Sequence, residues 1–189
     1  MTLLTLRTFL LFAVGSLMAC ASHPPTTAPS VSSQPPLKTV SRVDLPRYMG
    51  DWRVIAVIPY FAERNACDSI ESYALRPDGK IDNWFRCRRG SFAAKQKRYD
   101  FTAEVVNKQT NAEWKVRFLP FVKVAYLIID LDPGYQWTVV GHPSRKYGWI
   151  MARDKSLPAP VMEGIRRRLA EQGYDPARFQ MVPQVPPGP

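Results

Sequence analysis

From residue 50 onward, apolar and polar residues alternate in short runs that turn signals interrupt about every 8–12 residues. Trp114, Val116 and Phe118, for example, alternate with Lys115 and Arg117. Because successive side chains of a strand point to opposite faces of a sheet, this pattern predicts strands that bury one face. The predicted strands lie near residues 51–58, 67–76, 80–88, 98–106, 112–119, 122–131, 135–142 and 146–153. These eight strands with hairpin-length links favour an all-β fold, an eight-stranded up-and-down antiparallel barrel.

One helix is predicted after the strands. Pro160 suits its first turn and Gly173 suits its end. Val161, Ile165 and Leu169 form a narrow apolar stripe at helical spacing. The helix is therefore expected to pack by one side on the outside of the barrel, and a last short strand is expected near residues 179–182.

The first twenty residues have the pattern of an export signal. Arg7 precedes an apolar run, Thr8 to Ala19, that is too short to span a bilayer. The run ends in Leu17-Met18-Ala19-Cys20, which resembles a bacterial lipobox, in which the Cys becomes the lipid-modified first residue of the mature chain. The resemblance implies acyl chains such as palmitate on Cys20 and stable anchoring in a membrane. Ala21 after Cys20 implies the outer membrane, facing the periplasm. The alternative is an ordinary cleaved signal peptide in which Cys20 is not modified.

Three further segments are expected in the mature chain. Residues 21–42 are rich in Pro, Ser and Thr without any periodicity, which predicts a disordered tether. Residues 43–183 are expected to form the folded domain, and residues 184–189 a loose tail.

The cysteines and histidines restrict the chemistry. If Cys20 is acylated, Cys67 and Cys87 remain in an oxidising compartment on either side of a turn at residues 77–79, so a disulfide is expected, with two buried thiols as the alternative. A bonded pair would leave no thiol nucleophile. His23 and His142 are the two histidines and no Cys-x-x-Cys occurs, so no metal site, cofactor or enzymatic activity is expected.

Three short motifs resemble the signatures of the lipocalin family. Gly50-Asp51-Trp52 opens the first strand, Asp132-Pro133-Gly134-Tyr135 joins strands six and seven, and Arg153 ends strand eight. In order and position they are similar to the motifs of bacterial outer-membrane lipoprotein lipocalins, which resemble apolipoprotein D. The resemblance implies that Trp52 closes one end of the barrel and that Arg153 lies across its indole. The structural signature residues are thus Gly50, Trp52, Asp132, Tyr135 and Arg153.

The resemblance also implies a ligand cavity inside the barrel. Phe85 and Phe101 replace more polar or smaller residues of the family, which favours an acyl chain. The expected ligand is a fatty acid or a lysophospholipid, bound, transported or stored for maintenance of the outer membrane. The alternatives are a fully packed barrel that serves as a scaffold and, less favoured, an enzyme built on the same fold. The positions that correspond to the family's cavity lining are Tyr73, Phe85, Phe118, Tyr126 and Trp149.

The net charge of +10 predicts attraction to anionic groups. Several cations surround one predicted mouth link, where they are expected to hold a phosphate or carboxylate headgroup. Alternatively, this basic rim rests on membrane lipid or a protein partner. Nucleic acid is not an expected partner of an exported chain, and a monomer or weak dimer is expected. No role is assigned to His142 or Asp130, whose orientation stays open. The rim cations are Arg86, Arg88, Arg89, Lys97 and Arg98.

Overall fold

A computed structural model describes residues 34–61 and 63–186. The predicted signal peptide, the lipid site at Cys20, the first part of the predicted tether and residues 187–189 lie outside the described residues. Within the described part of the chain, no helix is long and apolar enough to cross a membrane.

Nine antiparallel strands form one sheet that closes on itself, because β1 pairs with β8 on one side and with β2 on the other. This confirms the predicted eight-stranded barrel, to which a short ninth strand is added. One helix lies outside it, as expected. The elements are α1 (Leu45–Tyr48), β1 (Gly50–Val57), β2 (Ala66–Leu75), β3 (Ile81–Arg89), β4 (Lys97–Val105), β5 (Glu113–Leu119), β6 (Val122–Leu131), β7 (Trp137–Gly141), β8 (Gly148–Ala152), α2 (Ala159–Glu171) and β9 (Gln180–Met181).

Two apolar clusters hold the fold together. The first fills the barrel interior and includes Trp52, Trp114 and Ile128. The second lies between the barrel wall and α2, where Ile165 and Leu169 of the predicted stripe are buried. Gly173 follows α2 with a φ of +81°, the left-handed conformation that ends a helix. Alternation along β1, β6, β7 and β8 thus supplies apolar side chains to the interior and to the outer cluster beneath α2.

The wall is interrupted between β1 and β2 near the open end. β1 pairs with β2 only over residues 50–53, while its second half pairs with β8 and β9. The chain after β9 fills this gap: Asp68 donates a backbone hydrogen bond to Pro183, and buried Gln184 donates from Nε2 to the carbonyls of Val54 and Ser69 at 2.7 and 3.2 Å. Residue 184 therefore belongs to the folded domain, contrary to the predicted loose tail.

The folded part also begins earlier than predicted. The compact unit starts at Gln34, and the amide of Val40 donates to the carbonyl of Ile128 at 3.0 Å. Leu37 and Val40 pack on the two apolar clusters. Residues 34–42 are thus packed against the barrel instead of forming part of a tether.

Cys67 and Cys87 are free thiols, so the predicted disulfide is wrong. An extra residue in β2 between Cys67 and Ile70 places Cys67 opposite Arg88. Directly opposed residues share a face and neighbours alternate, so Cys67 points outward while Cys87 points into the barrel. Cysteines whose Cβ vectors diverge in this way cannot be bridged.

Candidate functional site

The closed end of the barrel is built around Trp52 and Arg153. The Trp52 side chain is fully buried and donates from Nε1 to the carbonyl of Tyr48 at 2.7 Å. The Arg153 guanidinium lies 3.7 Å from the centre of the Trp52 ring, which confirms the contact expected from the motifs. It also donates to the carbonyls of Arg47, Met49 and Asp51 at 2.8–2.9 Å. One cation thus ties α1 and the start of β1 to the end of β8.

The other signature residues shape the same end. Gly50 has a φ of +91°, which only glycine adopts without strain. Tyr135 accepts a hydrogen bond from the Asp44 amide at its hydroxyl, and the side chain of Asp132 accepts one from the Gln136 amide. These contacts stabilise the closed end of the barrel.

Hydrogen-bonded tyrosines fill the lower interior. The Tyr126 hydroxyl lies 3.0 Å from that of Tyr48 and 2.8 Å from that of Tyr73. The ring of Trp114 stacks on Tyr126 at 5.0 Å. Burial raises the pKa of Tyr48 to about 12. This half of the barrel is therefore a packed core of neutral side chains.

A small cavity of about 40 Å³ lies above the tyrosines. Phe85 does not line it; it is buried beside Tyr99, with the two ring centres 6.2 Å apart. The cavity has room for water molecules only, because pockets for small ligands measure about 300–1,000 Å³. The other four predicted lining residues do surround it: Tyr73, Phe118, Tyr126 and Trp149.

Aromatic side chains cover the cavity at the open end. Tyr60 contacts Phe118 with ring centres 6.2 Å apart, and Phe118 stacks on Phe101 at 4.6 Å. Beyond them, Phe61 is 77% exposed and Phe121 is 98% exposed. The mouth is thus covered by rings from the link after β1, from β4 and from β5, and further apolar side chains beyond them are directed to solvent.

Two buried carboxyl groups beside the cavity were not expected from the sequence. Glu71 lines the cavity and accepts from Asn83 Nδ2 at 2.6 Å, while Glu63, only 5% exposed, accepts from Trp149 Nε1 at 3.0 Å. Burial raises the pKa of Glu71 to about 7 and that of Glu63 to about 8. Glu71 alternates in phase with Tyr73, a signal that was available in the sequence; Glu63 lies in a link, where periodicity gives no direction.

Comparison with known families adds to this geometry. The family model for the Lipocalin-like domain matches residues 43–184, the barrel with its outer helix. The chain belongs to the lipocalin family.

This lipocalin is similar to proteins from plants and bacteria. It is 31% identical over 160 residues to temperature-induced lipocalin-1 of Arabidopsis thaliana, covering 78% of this chain and 83% of the relative. It is 28% identical over 170 residues to the outer membrane lipoprotein Blc of Escherichia coli K12, covering 88% and 89%. Insecticyanin from the tobacco hornworm Manduca sexta superposes with a TM-score of 0.62 at 18% identity, over 79% of this chain and 85% of that chain, which shows the fold alone.

The predicted ring of cations does not form in this lipocalin. Arg86, Arg88 and Arg98 lie on the outer wall, where each pairs with an aspartate, Asp51, Asp68 and Asp100 respectively. Alternation along β3 explains this, because Cys87 between the two arginines points inward. Arg89, whose side chain donates to the carbonyl of Phe61, and Lys97 occupy the interior-facing phase at the mouth end.

The two residues without an assigned role have structural contacts. Asp130 points outward and accepts from Arg168 Nε of α2 at 2.6 Å. The Nδ1 atom of His142 lies 2.8 Å from the Ser144 hydroxyl, and burial lowers the pKa of the ring. Asp130 therefore fastens the helix to the wall, and His142 belongs to a link at the mouth.

The free thiols of Cys67 and Cys87 change the reason for expecting no cysteine nucleophile. Catalysis by cysteine needs a thiolate, and burial raises the pKa of both Cys67 and Cys87. A buried neutral thiol, rather than a disulfide, is what argues against a nucleophile here. Among residues 34–61 and 63–186, no group of three His, Cys, Asp or Glu side chains is arranged to hold a metal ion.

Proposed function

We propose that this lipocalin binds a single apolar chain inside its barrel and is held at the outer membrane by lipid on Cys20. The observation that carries the proposal is the aromatic lining of the interior cavity by Tyr73, Phe118, Tyr126 and Trp149. Proteins of the family generally bind small molecules rather than catalyse reactions, and the raised thiol pKa values agree with a binding role here. The candidate ligands are a fatty acid and a lysophospholipid, carried or stored for membrane maintenance.

The small cavity requires the mouth to open when a ligand enters. The rings that cover it, Tyr60, Phe101 and Phe118, are joined to each other by ring contacts. Each aromatic pair is worth about 0.5–1.5 kcal/mol beyond burial, whereas each buried CH₂ contributes about 0.8 kcal/mol. A twelve-carbon chain therefore gains roughly 9 kcal/mol before ordering costs, which exceeds the loss of these ring contacts. The balance favours entry of the chain by displacement of the rings.

The N-terminal motif and the names of the relatives both support a location at the outer membrane. The Leu17-to-Cys20 motif resembles a lipobox, and several relatives of 25–28% identity are named outer membrane lipoproteins. A protein with its own lipid anchor is well placed to exchange single-chain lipids with the surrounding bilayer.

Mass spectrometry of non-covalently bound lipid, extracted from the purified protein, tests the proposal. A stoichiometric single-chain lipid is expected. Phe118→Ala should also increase the uptake rate of a fluorescent fatty acid several-fold, because it removes part of the cover, whereas Phe121→Ala, at a solvent-exposed ring, should leave it unchanged. An empty wild-type protein that also takes up no added lipid, with or without Phe118→Ala, would overturn the proposal.

The exposed mouth favours a second candidate function, a packed scaffold that rests on membrane lipid. Phe61 and Phe121 are both largely exposed, and Lys123 follows Phe121 two residues later. Rings beside a cation are suited to an anionic bilayer surface. Replacement of both rings by serine should then lower adsorption to vesicles with anionic lipid, while extracted lipid stays absent.

A further inference from the structure

The cavity is lined by aromatic rings and one carboxyl group, Glu71, and a second carboxyl group, Glu63, is hydrogen-bonded to one of those rings, Trp149. Glu71 lies midway along β2 on its interior face, opposite Phe85 in register. Glu63 enters from the link after β1 and bonds Trp149, whose ring lines the cavity that Glu71 also lines. Tyr60 and Phe118 complete the wall on the mouth side. One acidic side chain and several rings thus share this small space, and a second acidic side chain is bonded to its wall.

Neither carboxyl group has a basic partner. Within the described part of the chain, no Lys, Arg or His nitrogen forms an ion pair with Glu63 or Glu71. Their hydrogen bonds come from neutral donors, the Asn83 amide and the Trp149 indole. Burying a carboxylate without a nearby cation costs free energy. A ligand that carries a positive charge would offset this cost.

These features discriminate between headgroups. The ionised carboxylates of Glu63 and Glu71 would repel a ligand carboxylate, because the interior-facing cations of the described residues, Arg89 and Lys97, lie at the mouth end and form no ion pair with them. A ligand ammonium would pair with them and would also face the rings of Tyr60 and Trp149, which attract cations. A hydroxyl would gain a hydrogen bond without a charge interaction.

We propose that the interior site prefers single-chain amphiphiles with a protonated amine, which pairs with Glu63 and Glu71 between the aromatic rings. The inference rests on the proposed function, since it requires that an apolar chain enters the barrel. It reverses the expectation from net charge, because the outer-wall arginines are already paired with Asp51, Asp68 and Asp100.

Three probes of equal chain length separate the headgroup from the chain: dodecylamine, 1-dodecanol and dodecanoate. Calorimetric titration of the purified protein at about pH 9, above the pKa values of about 7 for Glu71 and about 8 for Glu63, should rank the amine first, the alcohol second and the carboxylate last, with about tenfold between the amine and the carboxylate. The net charge of +10 would favour dodecanoate at the surface, so the expected order opposes the effect of non-specific attraction.

Glu71→Gln and Glu63→Gln should each lower amine affinity by about tenfold and leave alcohol affinity within about twofold, because only the charge is lost. Glu104→Gln, on the outer wall beside Lys123, is the matched control and should change neither. Thermal melting identifies any variant that fails to fold, and the ranking on the wild-type protein stands without variants.

The outcomes separate the two proposals. If all three probes bind equally, or dodecanoate binds most tightly, the amine preference is wrong while chain binding stands. If Glu71→Gln and Glu63→Gln lower the affinity for all three probes alike, the carboxyl groups do not determine the headgroup preference. If no probe binds the folded wild-type protein, chain binding and the amine preference are both wrong.

Discussion

Single side chains at the closed end are expected to contribute strongly to stability. Trp52→Ala should lower the free energy of unfolding by about 3–5 kcal/mol, because it removes a fully buried ring from the core. Arg153→Lys should cost roughly 2 kcal/mol, since the lysine cannot reach several carbonyls and the indole at once. Urea denaturation measures both. Arg166→Lys on the exposed face of α2 is the control, and equal unfolding curves for all variants would contradict this assignment.

The interior carboxyl groups predict that stability falls as pH rises. Their pKa values are raised from 4.5 to about 8 for Glu63 and about 7 for Glu71. The folded state therefore retains protons that the unfolded state releases, so the stabilisation is complete below pH 4.5 and is lost as pH rises to about 8. The loss for Glu71 is on the order of 3 kcal/mol, at about 1.4 kcal/mol per pKa unit. Urea midpoints at several pH values should flatten in the variant with Glu63→Gln and Glu71→Gln but not in Glu163→Gln; an unchanged slope in the double variant would count against buried acids.

The two cysteines predict a distinct thiol titration. Cys67 and Cys87 point to opposite faces of the wall and are buried, so neither should react rapidly with a disulfide reagent in the folded protein. Unfolding without reductant should expose both thiols, and the protein with Cys67→Ser should lose one of them. If the unfolded protein yields no reactive thiol from either residue until a reductant is added, Cys67 and Cys87 are joined in a disulfide and the assignment of free thiols is wrong.

At the scale of elements, the C-terminal segment closes the gap between β1 and β2. Gln184→Ala should cost about 1–2 kcal/mol, since it leaves the buried carbonyls of Val54 and Ser69 without their donor. Hydrogen exchange should accelerate locally in the second half of β1 and the first half of β2. Gln180→Ala, at an exposed position of β9, should leave exchange unchanged; a uniform increase over the whole barrel would mean that the segment does not close a local gap.

The elements also explain which expectations from the sequence succeeded. Alternation predicted the strands within one or two residues, and the family resemblance identified Tyr73 as a cavity-lining position. It failed at Cys67, because the bulge near Asp68, whose φ is +50°, flips every side chain on its mouth side to the other face. The alternation of apolar and polar residues in the sequence does not reveal a bulge of this kind. The clustering of Arg86 and Arg88 in the chain likewise concealed that both lie on the outer wall, since closeness in sequence is not closeness to the mouth.

At the scale of the whole molecule, attachment to the membrane is expected to depend on Cys20 rather than on the mouth. An acyl chain of sixteen carbons contributes roughly 12 kcal/mol at about 0.8 kcal/mol per CH₂, whereas a buried Phe contributes about 1.5–3 kcal/mol. The exposed Phe61 and Phe121 would therefore orient an anchored barrel but not hold it. The charge of about +9 that remains without residues 1–20, from 25 basic and 16 acidic residues, would add weak attraction to anionic lipid.

This difference in magnitude gives the last prediction. Cys20→Ser should abolish incorporation of labelled palmitate and remove the protein from the outer-membrane fraction, because two or more acyl chains are needed for stable anchoring. Replacement of Phe61 and Phe121 by serine should leave both readouts unchanged, since the acyl chains outweigh the two rings. If Cys20→Ser keeps the protein in the outer membrane without label, the N-terminal segment is an ordinary cleaved signal and the mouth, with its rings and nearby cations, becomes the surface that holds the protein on the bilayer.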